Sequence, residues 1–496
     1  MKHGLYYARC ILLVLLSLVS SCRFVCQGKT IHANKHMPLQ AQIQNEKTTY
    51  IIKTPFDLNG EKISIPKGAT IRFRKRGLIK NGLILADSAR IIFSRKVDFE
   101  DCSFSGLFCN TKCNLKNFGY QDQSAMVSMV SFANSCISRC HISISRNVMI
   151  DEILPVITNE VEIDANGFTV HVLRESEFTT TLGQSCAIFR MDSGGTVKNM
   201  RFYNESNNRC SLFNIKNGNY LFDNIECENK GYFGAAIYAP IQNKVTSCAI
   251  NNIRLIGMGV SGIEKGFLQY GVYVCALDKV SLKNGYIYRC GCDGATLIAE
   301  HVVVDNLTSN FNGVDKVTLP GVAGLYVCSR PVEVIKDVSV SNCTFIGNNG
   351  HGLDIARNAR AYPYKGEVLQ TINVNSCMCS NNGLSGVSIE GAENASILNC
   401  RLSNNGNNVF GDARRAGLNI QRLFTDGKPM NTYVIDNNTF EDAEGCQLYD
   451  ILFSKPSQTA DYREGNVKLI GNKFARRNIK NAKHLKSVSG QEVVYE

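Results

Sequence analysis

Between residues 324 and 421 the chain sets ionisable and aromatic side chains at matching points of a recurring phrase, Gly-apolar-x-apolar. Its copies are Gly324-Leu-Tyr-Val, Gly352-Leu-Asp-Ile, Gly386-Val-Ser-Ile and Gly417-Leu-Asn-Ile, with Gly271-Val-Tyr-Val upstream and looser copies at Gly294-Ala-Thr-Leu and Gln447-Leu-Tyr-Asp-Ile. The x position supplies Tyr273, Thr296, Tyr326, Asp354, Ser388, Asn419 and Asp450. Two residues on come Cys275, Ile298, Cys328, Ala356, Glu390, Gln421 and Leu452. Strands stacked about 4.8 Å apart would turn these two sets into adjacent columns on one outer surface.

Such a strip has the chemistry of a sugar-binding groove. Tyr326 and Tyr273 can stack on pyranose faces, Asn419 can bond hydroxyls, and Arg330 and Arg357, with Arg360 and Arg422 beside them, can hold a uronate or sulfate in a fork. Two reactions fit. In a hydrolase, Asp354 and Glu390 act as base and acid across adjacent coils. In a lyase, His351 or Tyr326 takes the proton beside a uronate carboxyl whose charge Arg357 neutralises. The third reading is glycan binding or surface adhesion without turnover, because a fold does not fix a function. Gly350-His351-Gly352 resembles the Gly-His-Gly of polygalacturonases, but the acidic phrases that family carries on neighbouring coils are absent here, and His351 also reads as a polar turn residue. No cofactor is called for: the acid clusters of a calcium site are not evident. Cys109-x3-Cys113 and Cys136-x3-Cys140 have no accompanying His set, so no metal is assigned.

The phrase recurs too often for a compact domain and predicts a solenoid of short strands. Between its copies runs a second one: Val340-Ser-Asn342-Cys343, Val374-Asn-Ser-Cys377, Ile397-Leu-Asn399-Cys400 and Ile435-Asp-Asn437-Asn. Asn tolerates the left-handed conformation of a tight bend and can hydrogen-bond along a stack of such bends. Asn-Asn-Gly closes coils at 348–350, 381–383 and 404–406. The expected fold is all-β, a right-handed parallel β-helix.

The front of the chain resembles the opening of the pectate-lyase-like superfamily that includes phage tailspikes. The resemblance rests on Leu115-Lys-Asn-Phe118-Gly119, on helical spacing over 124–139, on Cys140-His-Ile-Ser-Ile, and on Val161-Glu-Ile-Asp-Ala-Asn-Gly-Phe-Thr-Val170. It implies a short helix capping the open end of the coils, and helical spacing puts Ala125, Val127 or Met129, Phe132, Ala133, Cys136 and Ile137 on its apolar side. Residues 56–107, with Ile63-Ser-Ile-Pro-Lys-Gly and Gly77-Leu-Ile-Lys-Asn-Gly82-Leu-Ile, read as short strands with turns and resemble the leading segment of β-helix lipoproteins from gut Bacteroidetes; 51–118 is assigned as a small preceding β module. The β-helix with its helix is assigned to 119–475 and a C-terminal tail to 476–496.

The N-terminus has a basic start, an apolar run from Ile11 to Leu18, and Val19-Ser-Ser-Cys22. That run is too short to span a membrane, and the layout resembles a bacterial lipoprotein leader. Residues 1–21 are read as a signal peptide, Cys22 as the acylated residue and 22–50 as a tether, giving an exported protein held to a membrane by lipid. The net charge of +11 favours anionic partners. Basic residues are scattered apart from Arg72-Phe-Arg-Lys-Arg76, and no nucleic-acid-reading motif is present, so the expected partner is an acidic polysaccharide. The oligomeric state stays open. Setting Cys10 and Cys22 aside leaves 19 of the 21 cysteines, an odd number, and most sit one per coil in apolar surroundings as small core residues.

Overall fold

A computed structural model describes residues 29–173, 187–205, 211–230, 234–259, 270–314, 322–328, 335–356, 369–390, 392–407, 415–421, 432–454, 466–474 and 479–480. Its strands form a seven-stranded and a thirty-stranded sheet. Neighbouring strands run parallel in both, as in the pairings of Leu325–Cys328 with Leu353–Ala356 and of Thr49–Ile52 with Thr70–Phe73. This is the parallel β-helix the repeat predicts.

Each late coil has three faces. One turn of the winding runs from Asp337–Ser341 on the first face to Thr344–Ile346 on the second and Leu353–Ala356 on the third. The next runs through Leu369–Asn375, Met378–Ser380 and Val387–Glu390. Period-two alternation sends Val338, Val340, Phe345, Leu353 and Ile355 inward, where all are buried. Each such side chain contributes about 2 kcal/mol by leaving water. Cysteines share this interior: Cys343, Cys377, Cys379 and Cys400 are buried and unbridged, and the hydrogen-bonded Cys343 thiol, then burial, pushes Cys377 up to about 12 against the lowering contact of Cys400.

Two asparagine ladders hold the corners. Between the first and second faces, Asn342, Asn399 and Asn437 have φ of 56°, 55° and 54°, and Ser376 takes the same place at 54°. Asn437 Nδ2 donates to Asn399 Oδ1 at 2.7 Å, and Asn399 Nδ2 to Asn375 Oδ1 at 2.9 Å. Between the second and third faces one Asn of each turn points inside: Asn312 of Phe-Asn-Gly, Asn348 as the first Asn of its Asn-Asn-Gly, and Asn382 and Asn405 as the second of theirs. Asn312, Asn348, Asn382 and Asn405 are buried, each donating from Nδ2 to the Oδ1 of the next at 2.9, 3.0 and 2.9 Å.

This inner ladder explains the repeated glycine. A Cβ at Gly352 would stand 2.7 Å from the Gly386 carbonyl oxygen and 2.8 Å from Asn382 Nδ2, and Gly324 and Gly386 meet the equivalent pair of atoms. The turn backbone and the ladder amide leave no room for a side chain.

Three boundaries differ from expectation. The tether assigned to 22–50 is partly folded: Thr30–His32 pairs with Thr49–Ile52, and Leu39 and Ile43 are buried. Its short polar strand carries too little alternation to be read as one. The β module is itself a parallel stack, in which Leu78–Ile92 pairs with Phe99–Phe108. The helix spans Asp122–Asn134 and lies at a seam rather than an open end, packing against Phe99–Phe108 and Val148–Ile150. Backbone bonds cross that seam, from Phe108 N to Ser135 O at 2.8 Å and from His141 N to Thr111 O at 2.8 Å. Phe93, Phe99, Phe104, Phe108, Phe118 and Phe132 fill it edge to face, with centroids such as Phe104–Phe132 at 5.2 Å. Chain beyond Asn134 leaves the helix, so Ile137 is exposed instead of packed. At the far end Ile479–Lys480 still pairs with Ile451 and Leu452, inside the segment assigned as tail.

Candidate functional site

On the third face, parallel pairing places Tyr238, Tyr273, Thr296, Tyr326, Asp354, Ser388 and Asn419 opposite one another in turn. The column inferred from the repeat therefore forms, and it extends upstream through Asn214 and Arg190. It differs at the far end. Leu452, not Asp450, stands beside Asn419, because the copy at Gln447 lacks the glycine that anchors the alignment.

The strip is open only in part. Thr296, Ser388 and Asn419 are 2%, 2% and 0% exposed, while Tyr238, Tyr273, Tyr326, Asp354 and Glu390 are half-buried. Asn419 was expected to meet sugar. Instead its Nδ2 donates to Ser388 Oγ at 3.3 Å inside the structure, so its contact is with the neighbouring coil. His351, expected to carry a proton, is 1% exposed, and its Nδ1 accepts from Ser385 N at 3.1 Å. A ring held there braces the turn between coils. Arg330, Arg357, Arg360, Arg422 and Cys22 lie outside the described residues.

The accessible members gather around Tyr326. The second outward column beneath them is apolar: Cys275, Ile298 and Cys328 form a small cluster of their own, with Ile241, Tyr273 and Tyr326 packed on it. Tyr238 and Tyr270 lie tilted against Tyr273, with the Tyr273 ring centroid 5.6 Å from that of Tyr238 and 5.1 Å from that of Tyr270. Burial, then the Cys328 thiol and the carboxylates Asp354 and Asp293, push the Tyr326 phenol far above its usual value. Tyr273 is raised by burial and by Cys328, Cys275, Tyr238 and Asp293. Both rings therefore stay protonated across the physiological range, so Tyr326 offers a proton rather than a base.

Asp293 went unnoticed in the sequence. It precedes Gly294 and is nearly buried, its Oδ2 accepting from Thr296 Oγ1 at 2.9 Å and its Oδ1 from Ala323 N at 2.7 Å. Backbone bonds from Gly271, Gly324 and Gly352 to Asp293, His351 and Ser385 place these residues in one turn column. Aligning the repeat one residue further upstream would have put Asp293 and His351 together. Glu390 follows Asp354 by one coil and two residues, a Cα separation of about 8 Å by strand geometry.

Among the described residues, Asp278, Glu300 and His301 bring three possible ligand atoms within 4.8 Å of one another. Lys336 already pairs with Glu300, and Asp337 contacts His301 Nδ1, so neighbouring side chains already occupy these ligand atoms.

No protein-family model matches the chain, and no curated protein matches it. Among solved structures the chain is similar to the A-module of Azotobacter vinelandii mannuronan C-5 epimerase AlgE6, with a TM-score of 0.48 and 13% identity over 76% of this chain and 96% of that one. It is also similar to the A-module of the AlgE4 epimerase of the same organism, with a TM-score of 0.31 and 12% identity over 94% of this chain and 98% of that one.

Proposed function

We propose that the chain acts on an acidic polysaccharide laid along its third face, moving protons between the sugar and the groups around Tyr326. The observation that carries this is the in-register neighbourhood of Tyr273, Tyr326 and Asp354 on an apolar floor, with Asp293 at its edge. The tyrosine faces receive the sugar. Tyr326, kept protonated, donates to an oxygen that leaves or gains charge. Asp354 is the base, and Glu390, one coil on, is the second carboxylate of a hydrolase. Arg330 and Arg357 keep their assignment as holders of the anionic group. Export and acylation at Cys22 belong to the same reading, since a polysaccharide of the envelope or its surroundings is met outside the cytoplasm.

A panel of uronate, sulfated and neutral polysaccharides separates the reactions, read by ultraviolet absorbance for unsaturated uronates and by reducing ends for hydrolysis. Tyr326→Phe, Asp354→Asn and Glu390→Gln, made singly, report the roles. Loss of at least about a hundredfold in turnover at Tyr326 and Asp354 is expected for groups that transfer protons. Turnover retained by all three variants, with the fold intact, would place the chemistry elsewhere. The second reading, glycan adhesion without turnover, is favoured by the burial of His351 and Asn419, and binding without product in every assay would establish it.

A further inference from the structure

Far from the third face, the seven-stranded stack carries a cleft of about 310 Å³. Its floor is built by register. Thr30, Thr49, Thr70 and Arg90 stand opposite one another on successive coils, and two residues on come Ile51, Arg72 and Ile92. Three hydroxyl side chains in a row thus lead to two guanidinium groups. Arg72 and Arg90 are exposed and lie about 8 Å apart at Cα by strand geometry, and their guanidinium groups form no ion pair or hydrogen bond with the described residues. In the chain, exposed Lys29 and Lys67 adjoin Thr30 and Gly68, and Arg74, Lys75 and Arg76 follow Arg72. The nearby carboxylate, Asp87, accepts from Ser88 Oγ at 3.3 Å.

Two arginines facing water over a polar floor, with no acid assigned to them, form an anion site. Their fork geometry suits carboxylate or sulfate. The row of hydroxyls spaced at the coil repeat suits a ligand that presents hydroxyls along its length. Single-stranded nucleic acid would call for aromatic side chains to stack bases, and the cleft is lined by none.

We infer that this cleft is a second carbohydrate-binding site, which takes a short stretch of acidic sugar chain with its carboxylate or sulfate groups on Arg72 and Arg90 and its hydroxyls on the threonine row. The ligand class rests on the polysaccharide reading above, while the site does not depend on the third face. Its role is to hold a long polymer on the molecule while another part of that polymer lies on the third face, which raises the effective concentration there.

The test is isothermal titration of the full chain with a hexameric oligouronate, its carboxyl-reduced neutral counterpart, inorganic sulfate and a single-stranded DNA hexamer. Arg72→Gln/Arg90→Gln should remove one uronate site or weaken it at least tenfold, leave the melting temperature unchanged, and leave turnover of the hexamer unchanged while reducing it on long polymer. Added salt should weaken that site in the wild type. Sulfate binding without uronate binding, equal affinity for the neutral hexamer or the DNA, or uronate binding unchanged in the double variant would each overturn the assignment. Tyr326→Phe and Asp354→Asn should leave the cleft site in place. If they also leave turnover in place, the third-face reading fails while this one stands.

Discussion

Replacing Asn382 by alanine removes one rung of the inner ladder, and its cost follows from the bonds that rung makes. Asn382 is fully buried, and its Oδ1 accepts from Asn348 N at 3.0 Å and from Asn348 Nδ2 at 3.0 Å. Its Nδ2 donates to Phe345 O at 3.0 Å and to Asn405 Oδ1 at 2.9 Å. In the variant the buried Asn348 N–H has no acceptor, at about 1 to 3 kcal/mol, and an amide hydrogen of the same residue is also lost to it. A total of about 3 kcal/mol is expected, roughly a hundredfold in local opening. The outer ladder supplies the control. Asn399 sits at φ 55° and its bonds are exposed to water, so Asn399→Gly keeps the permitted conformation and should cost less than about 1 kcal/mol. Hydrogen exchange read by mass spectrometry over 344–353, alongside urea unfolding, measures both. Faster exchange and a lower midpoint for Asn382→Ala than for Asn399→Gly are expected. Equal effects would refute the claim that a buried rung of the inner ladder carries more stability than an exposed rung of the outer one.

Asp98 lies buried with Oδ2 accepting from Ser94 N at 2.8 Å and Asn117 Nδ2 at 2.9 Å, and burial raises it to about 6. Because its folded value lies above the unfolded 3.8, its contribution is greatest below that value and is lost as pH rises through 6, by about 3 kcal/mol in all; Asp98→Asn should flatten the pH dependence of seam unfolding between pH 4 and 7. Gly352→Ala should destabilise the coils around it by more than Gly60→Ala, since a Cβ at Gly60 meets nothing within 4 Å and pays only for its positive φ; comparative melting checks this. Among the described cysteines, thiol reagents should label Cys109 and Cys446 first and the buried ones only on unfolding, and rapid native labelling at Cys343 or Cys379 would contradict the interior register.

The sequence carried the parts of the fold that are local. A glycine followed by alternating apolar residues, and an asparagine at a left-handed bend, each need only their own few residues, and both recur where they were read. Register followed wherever the glycine was present and slipped at Gln447, where it is missing. The exposure of the strip was not legible, because whether Thr296, Ser388 and Asn419 meet water depends on what packs outside the sheet. Asp293 was missed for a related reason. Its column holds Tyr270, Ala323, His351 and Ser385 on other coils, so residue type gives no pattern, and only the backbone ladder reveals the alignment. The parallel winding of residues 49–108 was hidden by strands of three or four residues, and its long strand Leu78–Ile92 reads in sequence as short strands with a turn at Asn81-Gly82.

A crystal structure of Asp354→Asn soaked with an oligouronate tests the functional assignment most directly. Sugar rings stacked on Tyr273 and Tyr326, with a ring oxygen or glycosidic oxygen within hydrogen-bond reach of the Tyr326 hydroxyl, is the predicted result. Oligosaccharide bound in the N-terminal cleft or on another face, with the third face bare at saturating ligand, would contradict it.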